Sequence, residues 1–310
     1  MAVSRPVVLP VDRLLAGYNL LLAAVWAVAW PRAAYVPWLS TAHAAAAALP
    51  WLLAQGNGRL TCAGRILRDV YPLLLLSVFW SELGLLREQL HAATYDHAVE
   101  ALDLAVFGVH VHALWLPRMP QMWVSELMHF SYFGYYLLIA GPALWLLATR
   151  RRDEYHDMIF RLLLTYLACY VIYIGFPVDG PIYTLAPYRG QITEGLFYRL
   201  AHGAVEFGHS MGATFPSSHV AGAATIAYVG WRYFPRPVAI LLALQAVGVA
   251  LSTIYTQNHF AIDSVAGIAL AAVVQGVVAP RLLQLRPTVV RIPLPVLPAA
   301  PAVQARGGNA

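Results

Sequence analysis

Long apolar stretches separated by short polar loops dominate the pattern of hydrophobic and polar positions along the chain. Because an α-helix needs about 20 apolar residues to cross a bilayer, the pattern predicts an all-α, polytopic integral membrane helical bundle with about eight transmembrane helices. The predicted spans are residues 12–30, 36–54, 69–86, 122–148, 157–176, 217–235, 237–256 and 260–283. Two connecting loops, residues 87–121 and 177–216, are long, and long loops often carry function.

The composition excludes a soluble globular protein. Of the 310 residues, 60% are hydrophobic and only 11% are charged, against roughly 25% charged in an ordinary soluble domain. All 20 basic residues are arginine, so no mechanism can use a lysine. The arginines are scattered in short loops rather than clustered in a stripe, which argues against a nucleic-acid partner. Cys62 and Cys169 lie in separate segments and predict neither a disulfide nor a thiolate metal site.

The positions of the arginines predict the orientation in the membrane. With a cytoplasmic N-terminus, most of the 20 arginines fall in loops on the cytoplasmic side, as the positive-inside rule requires. We therefore expect both termini to be cytoplasmic. The first apolar segment has no convincing cleavage site and is interpreted as a retained helix, which fits a bacterial inner (cell) membrane.

Four segments follow from the pattern: N-terminal transmembrane helices (1–90), an extracytoplasmic or interfacial segment (91–121), a helical membrane core (122–284) and a disordered cytoplasmic tail rich in Pro and Ala (285–310).

The interfacial segment contains a His-Val-His sequence at His110 and His112. Such a pair can belong to a metal site, but no carboxylate or third histidine lies at ligand spacing. Two interfacial histidines are the simpler interpretation, and the sequence predicts no metal site.

The first motif with chemical content is FPSSHV, residues 215–220, directly before a predicted span on the outer side. The first turn of a helix offers free backbone N–H groups and the positive end of the helix dipole, which together bind anions. The hydroxyls of Ser217 and Ser218 add donors. His219, in the same turn, could exchange a proton with a group bound there.

The second motif is NHFAID, residues 258–263, at the start of the last predicted span. His259 and Asp263 are four residues apart, so on a helix the carboxylate can accept a hydrogen bond from one imidazole nitrogen and leave the other free as a nucleophile or base. A structural role for Asp263, as a cap or a pair within the bundle, is the alternative.

Topology places both motifs on the same side of the membrane. Two histidines and an aspartate at helix N-termini, beside serine hydroxyls, match phosphoryl transfer through a phosphohistidine intermediate. That chemistry needs no cofactor.

These residues resemble a known family. The sequences PSSH at 216–219 and H-x-x-x-D at 259–263 are similar to signature motifs of the type 2 phosphatidic acid phosphatase superfamily. The stretches ELMHFSYFGYY (126–136), GFPVDGPIY (175–183) and TIYTQNHFAID resemble its inositol phosphorylceramide synthase (inositolphosphotransferase) branch more closely.

The resemblance implies a role for each residue. His259 would attack phosphorus, Asp263 would orient and charge-balance its imidazole, and His219 would protonate the leaving oxygen and then activate the acceptor. The substrate would be a phospholipid or lipid phosphate, and the acceptor a lipid hydroxyl in a transferase or water in a phosphatase.

The chain departs from the family pattern at its phosphate-binding cations. The usual first-motif lysine is impossible here, GPIY stands where an Arg-Pro pair is expected, and Ser252-Thr253 replaces a Ser-Arg pair. Fewer cations suit a phosphodiester, which carries one charge at phosphorus, better than a phosphomonoester. This favours headgroup transfer between lipids over lipid phosphate hydrolysis, unless Arg189 or Arg199 folds back from the preceding loop.

Two further interpretations stay open. Tyr183, Tyr132, Tyr135 and Tyr136 either line a headgroup pocket or belong to an interfacial aromatic belt. In a protein of another class, a proton-coupled transporter, His259 and Asp263 would form a proton relay. The clustering of ionisable residues near one interface argues for chemistry on lipid headgroups instead.

Overall fold

The computed structural model describes residues 8–29, 32–56, 61–208 and 210–284, and in these ranges the chain is all-α, with no strand beyond an isolated bridge between Val178 and Ala213. The predicted tail, 285–310, lies outside the described residues. The helices are α1 (Pro10–Val28), α2 (Val36–Ala46), α3 (Leu49–Gly56), α4 (Cys62–Leu90), α5 (Asp96–Phe107), α6 (Val111–Arg118), α7 (Met122–Ala148), α8 (Arg152–Gly175), α9 (Leu196–Gly208), α10 (Ser218–Tyr233), α11 (Arg236–Tyr255), α12 (Ala261–Val273) and α13 (Ala279–Gln284).

Six stretches of helix in the described part of the chain are long and apolar enough to cross a membrane. They are α1, α4, α7, α8, α11 and the run from α12 through a single π-helical turn, Val274–Val278, into α13. The pair α5 and α6 forms a seventh only if it is counted as one span, since it bends by 66°.

The predicted number of eight spans is therefore not confirmed. The predicted span 36–54 is divided between α2 and α3, neither of which is long enough alone. The predicted span 217–235 corresponds to α10, which has 16 residues. At 1.5 Å per residue such a helix is about 24 Å long, shorter than a hydrocarbon core of about 30 Å.

The helix α8 lies at the centre of the bundle. Of its most apolar stretch, 72% is buried inside the protein, against 39–44% for the other candidate spans. The outer helices expose large apolar side chains, among them Leu137 and Leu144 of α7 and Leu241 of α11. An exposed apolar surface of this extent is typical of helices that face lipid.

Several polar groups buried between the N-terminal helices are paired. In α1, the carboxylate of Asp12 accepts hydrogen bonds from Arg68 and Tyr71 of α4. The ring of His43 lies between Asn19 and Glu82, at 2.9 and 2.8 Å. These contacts join α1, α2 and α4. Separating the helices would leave buried polar groups without partners, which costs free energy.

Candidate active site

The first motif folds into the start of α10. Ser217 is the N-cap, and its hydroxyl oxygen accepts a hydrogen bond from the backbone N–H of Val220 at 3.4 Å. The hydroxyl of Tyr173, on α8, donates to the carbonyl of Pro216 and accepts from the N–H of Ser218, at 2.6 and 3.1 Å. Several of the backbone donors expected to be free for an anion are therefore already used.

The second motif folds into the start of α12. The carboxylate oxygen Oδ2 of Asp263 accepts from the backbone N–H of Phe260 at 2.9 Å and faces Nδ1 of His259 at 3.2 Å. The backbone N–H groups of Asn258 and His259 both donate to the carbonyl of Thr253, at 3.1 Å. The carboxylate thus caps the helix and orients the imidazole at the same time.

The two helix starts are bonded to each other. The N–H of Ser217 donates to the carbonyl of Asp263 at 3.0 Å, and Oγ of Ser217 lies 3.2 Å from Nε2 of His259. Gly267 makes the approach possible, since a Cβ there would lie 2.6 Å from the carbonyl oxygen of Ser217. A hydroxyl that accepts from Val220 is free to donate, so this arrangement favours a proton on Nδ1 and a lone pair on Nε2.

His259 lies between α11 and α12, outside the candidate spans. Burial disfavours its charged form and lowers its pKa to about 4. The imidazole is therefore neutral at neutral pH, as a nucleophile requires.

His219 faces His259, with the ring centroids 5.9 Å apart. Its ring stacks on Tyr132 at 5.4 Å and contacts Tyr135 at 4.6 Å between centroids. The hydroxyls of Tyr135 and Tyr166 are hydrogen-bonded to each other. Tyrosines of α7 thus fix the position of His219 relative to His259.

Both histidines line one cleft, with a volume of about 70 Å³, whose wall includes Tyr183 and Asn258. An apolar cavity of about 740 Å³ adjoins it between α4, α7 and α8, a size typical of ligand sites. The cleft and the cavity share five residues, namely Trp80, Tyr136, Ala204, Gly208 and His219. His219 therefore stands where a polar cleft meets an apolar cavity.

The structure brings together most of the residues singled out in the sequence, but not all. Ser217, His219, His259 and Asp263 form one cluster, Tyr183 lines the cleft, and Ser218 lines the apolar cavity. Arg189 does not line the cleft: it is exposed in the loop that follows Tyr183. Ser252 and Thr253 are buried and bond mainly within α11.

An ion pair at the edge of the cleft was not predicted from the sequence. Asp179 lines the cleft, and its Oδ2 accepts from Nη2 of Arg87 at 2.9 Å. The backbone N–H groups of Asp179 and Gly180 donate to the carboxylate of Asp96, at 3.0 and 2.7 Å. The available signal was an acidic residue in GFPVDGPIY. No arginine is among the described residues that line the cleft, and Arg87 reaches it only through its pair with Asp179.

Residues 97–277 match the sequence model of the PAP2 superfamily. The match covers more than half of the chain and contains both motifs, together with much of the segment at 91–121. No curated protein matches the chain, and no solved structure does.

Proposed function

The chain belongs to the PAP2 superfamily, and on that premise we propose that it is a membrane-embedded lipid phosphotransferase. It would move a phosphoryl headgroup, of the inositol-phosphate kind, from a phospholipid to a lipid hydroxyl through a phosphohistidine intermediate. The observation that carries the proposal is the arrangement of His259, held by Asp263, opposite His219 at the border of an apolar cavity.

In the first half-reaction, the lone pair on Nε2 of His259 attacks phosphorus. Burial lowers the pKa of His219, so His219 must take up a proton when the anionic phosphodiester binds beside it. The bond between phosphorus and the oxygen of the donor lipid breaks, and His219 gives that oxygen the proton. The carboxylate of Asp263, beside Nδ1 at 3.2 Å, stabilises the positive charge that develops on the imidazole. Nε2 must first exchange the Ser217 hydroxyl for phosphorus, which frees that hydroxyl to donate to a phosphoryl oxygen.

In the second half-reaction, His219 removes the proton from the hydroxyl of the acceptor lipid. The oxygen attacks phosphorus, and the bond between phosphorus and Nε2 breaks. His219 is suited to both half-reactions because it borders the cleft on one side and the apolar cavity on the other. An acceptor with an alkyl chain can occupy the cavity while its hydroxyl enters the cleft.

The charge of the cleft supports transfer rather than hydrolysis of a phosphomonoester. No arginine is among its described lining residues, and Asp179 contributes a carboxylate whose partner is Arg87. A dianionic phosphate would meet little positive charge there. A phosphodiester carries one negative charge, and its polar headgroup can donate hydroxyls to Asp179.

The proposed orientation has the cleft on the extracytoplasmic side and both termini in the cytoplasm. The arginines support it: Arg151 donates to the carbonyl of Tyr233, and Arg152 pairs with Asp69, at 2.9 and 3.1 Å. These contacts join the ends of α4, α8 and α10 that are opposite to the cleft. By the positive-inside rule the arginine-rich end is cytoplasmic.

The test uses purified protein in mixed lipid vesicles that contain phosphatidylinositol or phosphatidic acid, each labelled at phosphorus with ³²P. Each donor is supplied with and without ceramide or diacylglycerol. We expect labelled headgroup to appear on the added hydroxyl lipid. The His259→Ala variant should lose this activity, whereas His97→Ala, which changes an exposed histidine on α5, should keep it.

Release of inorganic phosphate from phosphatidic acid without an acceptor would make the protein a lipid phosphatase and overturn the argument from charge. Turnover that survives in His259→Ala would overturn the proposed nucleophile. No turnover of either donor by the wild-type protein would favour a transporter that uses His259 and Asp263 as a proton relay.

A further inference from the structure

We propose that Glu100, His110 and His112 bind a divalent metal ion of the zinc class at the bend between α5 and α6. The site is separate from the candidate active site, since none of these three residues lines the cleft. Its role is structural: it holds the α5–α6 bend against the loop that carries His259.

The bend brings together residues that are distant along a straight helix. α5 ends at Gly108, whose φ of +72° suits glycine, and α6 then leaves at 66° to α5. As a result, one ligand atom from each of Glu100, His110 and His112 lies within 4.8 Å of the other two. Because of this bend, Glu100 accompanies the His-Val-His pair although no carboxylate lies at ligand spacing in the sequence.

The distances are close to those of a metal site. Nδ1 of His110 lies 3.8 Å from Oε1 of Glu100, and Nδ1 of His112 lies 3.6 Å from Oδ2 of Asp103. Tetrahedral zinc has bonds of about 2.0–2.1 Å to nitrogen and oxygen, which places neighbouring ligand atoms about 3.4 Å apart. Small side-chain rotations would close the set around an ion.

Three polar atoms in this cluster are shielded from solvent and have no hydrogen-bond partner in the described part of the chain. They are Nδ1 of His110, Nδ1 of His112 and Oδ2 of Asp103. The side chains of His112 and Asp103 are 3% and 0% exposed. Buried polar atoms in proteins normally have partners, and a cation between them would supply the missing one.

The donor set selects the class of metal. Two imidazoles with a carboxylate suit zinc and similar transition metals, whereas magnesium and calcium prefer oxygen ligands alone. Asp103, whose Oδ2 lies 3.6 Å from Nδ1 of His112, adds a second carboxylate beside the ion. With Glu100 it balances the two positive charges of the ion.

The cluster also contacts the loop before α12 and the start of α12 in three ways. The other carboxylate oxygen of Asp103, Oδ1, accepts from the backbone N–H of Ile262 at 2.8 Å. The ring of His112 packs edge-on against Phe260, with 4.8 Å between centroids. Nε2 of Gln257 donates to the carbonyl of His112 at 3.3 Å. An ion that fixes His112 and Asp103 therefore also fixes the loop around His259.

The test uses the full chain, purified in detergent with an affinity tag that contains no histidine, stripped with a chelator and titrated with Zn²⁺ or Co²⁺. We expect one Zn²⁺ per chain, a visible Co²⁺ spectrum of the tetrahedral type, and a melting temperature that rises when Zn²⁺ is added. Glu100→Gln and His110→Asn should each weaken Zn²⁺ binding by at least about tenfold and abolish the rise in melting temperature.

These two variants change side chains that are 43% and 39% exposed, so the chain should still fold. The matched control is His97→Asn, an exposed histidine on the same helix, which should bind Zn²⁺ as the wild type does. The proposal would be overturned if the wild type bound no more Zn²⁺ than His110→Asn, or if His97→Asn lost binding to the same extent.

Discussion

The imidazole of His259 is held between a carboxylate at Nδ1 and a hydroxyl at Nε2, both 3.2 Å away. The carboxylate of Asp263 only accepts hydrogen bonds, so it keeps the proton on Nδ1 and the lone pair on Nε2. This preference for one tautomer depends on the side chain at position 263 being an acceptor alone.

An amide at this position should remove the preference. In Asp263→Asn, the side-chain NH₂ can donate to Nδ1, which moves the ring proton to Nε2 and blocks attack on phosphorus. We expect headgroup transfer to fall by about 10²–10⁴-fold, with little change in the amount of folded protein. Initial rates in vesicles check this, with Asp153→Asn, at an exposed position, as the control. A rate within twofold of wild type would contradict the role given to Asp263.

The lowered pKa of His259 predicts the acid limit of the reaction. The imidazole has a pKa of about 4, below the ordinary value of about 6.5, so the free base persists until the pH falls to about 4. Below that pH, Nε2 is protonated and cannot attack. Initial rates measured from pH 3.5 to 8 should lose the contribution of this group near pH 4. The prediction would be contradicted if the rate fell near pH 6.5 both in the wild type and in His219→Gln.

At the scale of elements, the close approach of α10 and α12 sets the geometry of the site. The N–H of Ser217 meets the carbonyl of Asp263, and Gly267, one turn further along α12, faces the carbonyl oxygen of Ser217. Backbone atoms, unlike a flexible side chain, cannot move aside cheaply.

Gly267→Ala should therefore separate the two helices. The added Cβ would lie 2.6 Å from the carbonyl oxygen of Ser217 and 3.3 Å from the N–H of Ala221. We expect a loss of about 1–3 kcal/mol in stability and at least about a tenfold loss of transfer. Thermal melting and initial rates check both. Gly141→Ala, in α7 with nothing within 4 Å, is the matched control, and equal behaviour of the two variants would contradict the argument.

Hydrophobic patterning predicted the helices that carry a long apolar run of their own. It placed α1, α4, α7, α8, α11 and α12 in the correct parts of the chain. It failed at residues 36–54, where the alanine-rich stretch breaks into α2 and α3, because hydropathy does not register a break within an apolar run. Hydrophobic patterning also predicted a membrane span at 217–235, where α10 has only 16 residues.

The candidate site was predictable where chain topology alone decides proximity. His219 lies in the first turn of α10 and His259 directly before α12, two helices that start on the same side, and the two rings do face each other. The pair of Arg87 and Asp179 was not predictable, because 92 positions separate the two residues. Glu100 and His112 meet only through the bend at Gly108, and a bend angle follows from packing rather than from residue type.

At the scale of the whole molecule, different parts of the chain line the polar cleft and the apolar cavity. The segment between α8 and α10, the start of α10 and the loop before α12 line most of the polar cleft, while α4, α7 and α8 line most of the apolar cavity of about 740 Å³. If this cavity holds alkyl chains, filling it should affect long-chain lipids and spare the chemistry itself.

Ile139→Trp tests that division, since Ile139 lines the cavity. We expect KM for long-chain donors to rise by about tenfold, because displacing several buried methylene groups, at about 0.8 kcal/mol each, weakens binding, while kcat for a short-chain donor stays within about twofold. Steady-state kinetics with donors of both lengths measure this. The control is Leu137→Trp, on the same helix but 66% exposed. If Ile139→Trp kept the wild-type KM for long-chain donors, the assignment of the cavity to alkyl chains would be contradicted.

The shared wall at His219 has a consequence for how the proposed transfer would be supplied with lipid. A cleft that opens into an apolar cavity between helices is supplied by sideways diffusion within the bilayer and not by collision from water. Its rate then follows the mole fraction of substrate among the surrounding lipids, and dilution of the vesicles in buffer leaves it unchanged. The lipid composition of the membrane would therefore set the rate of transfer per chain, independently of the concentration of vesicles in the buffer.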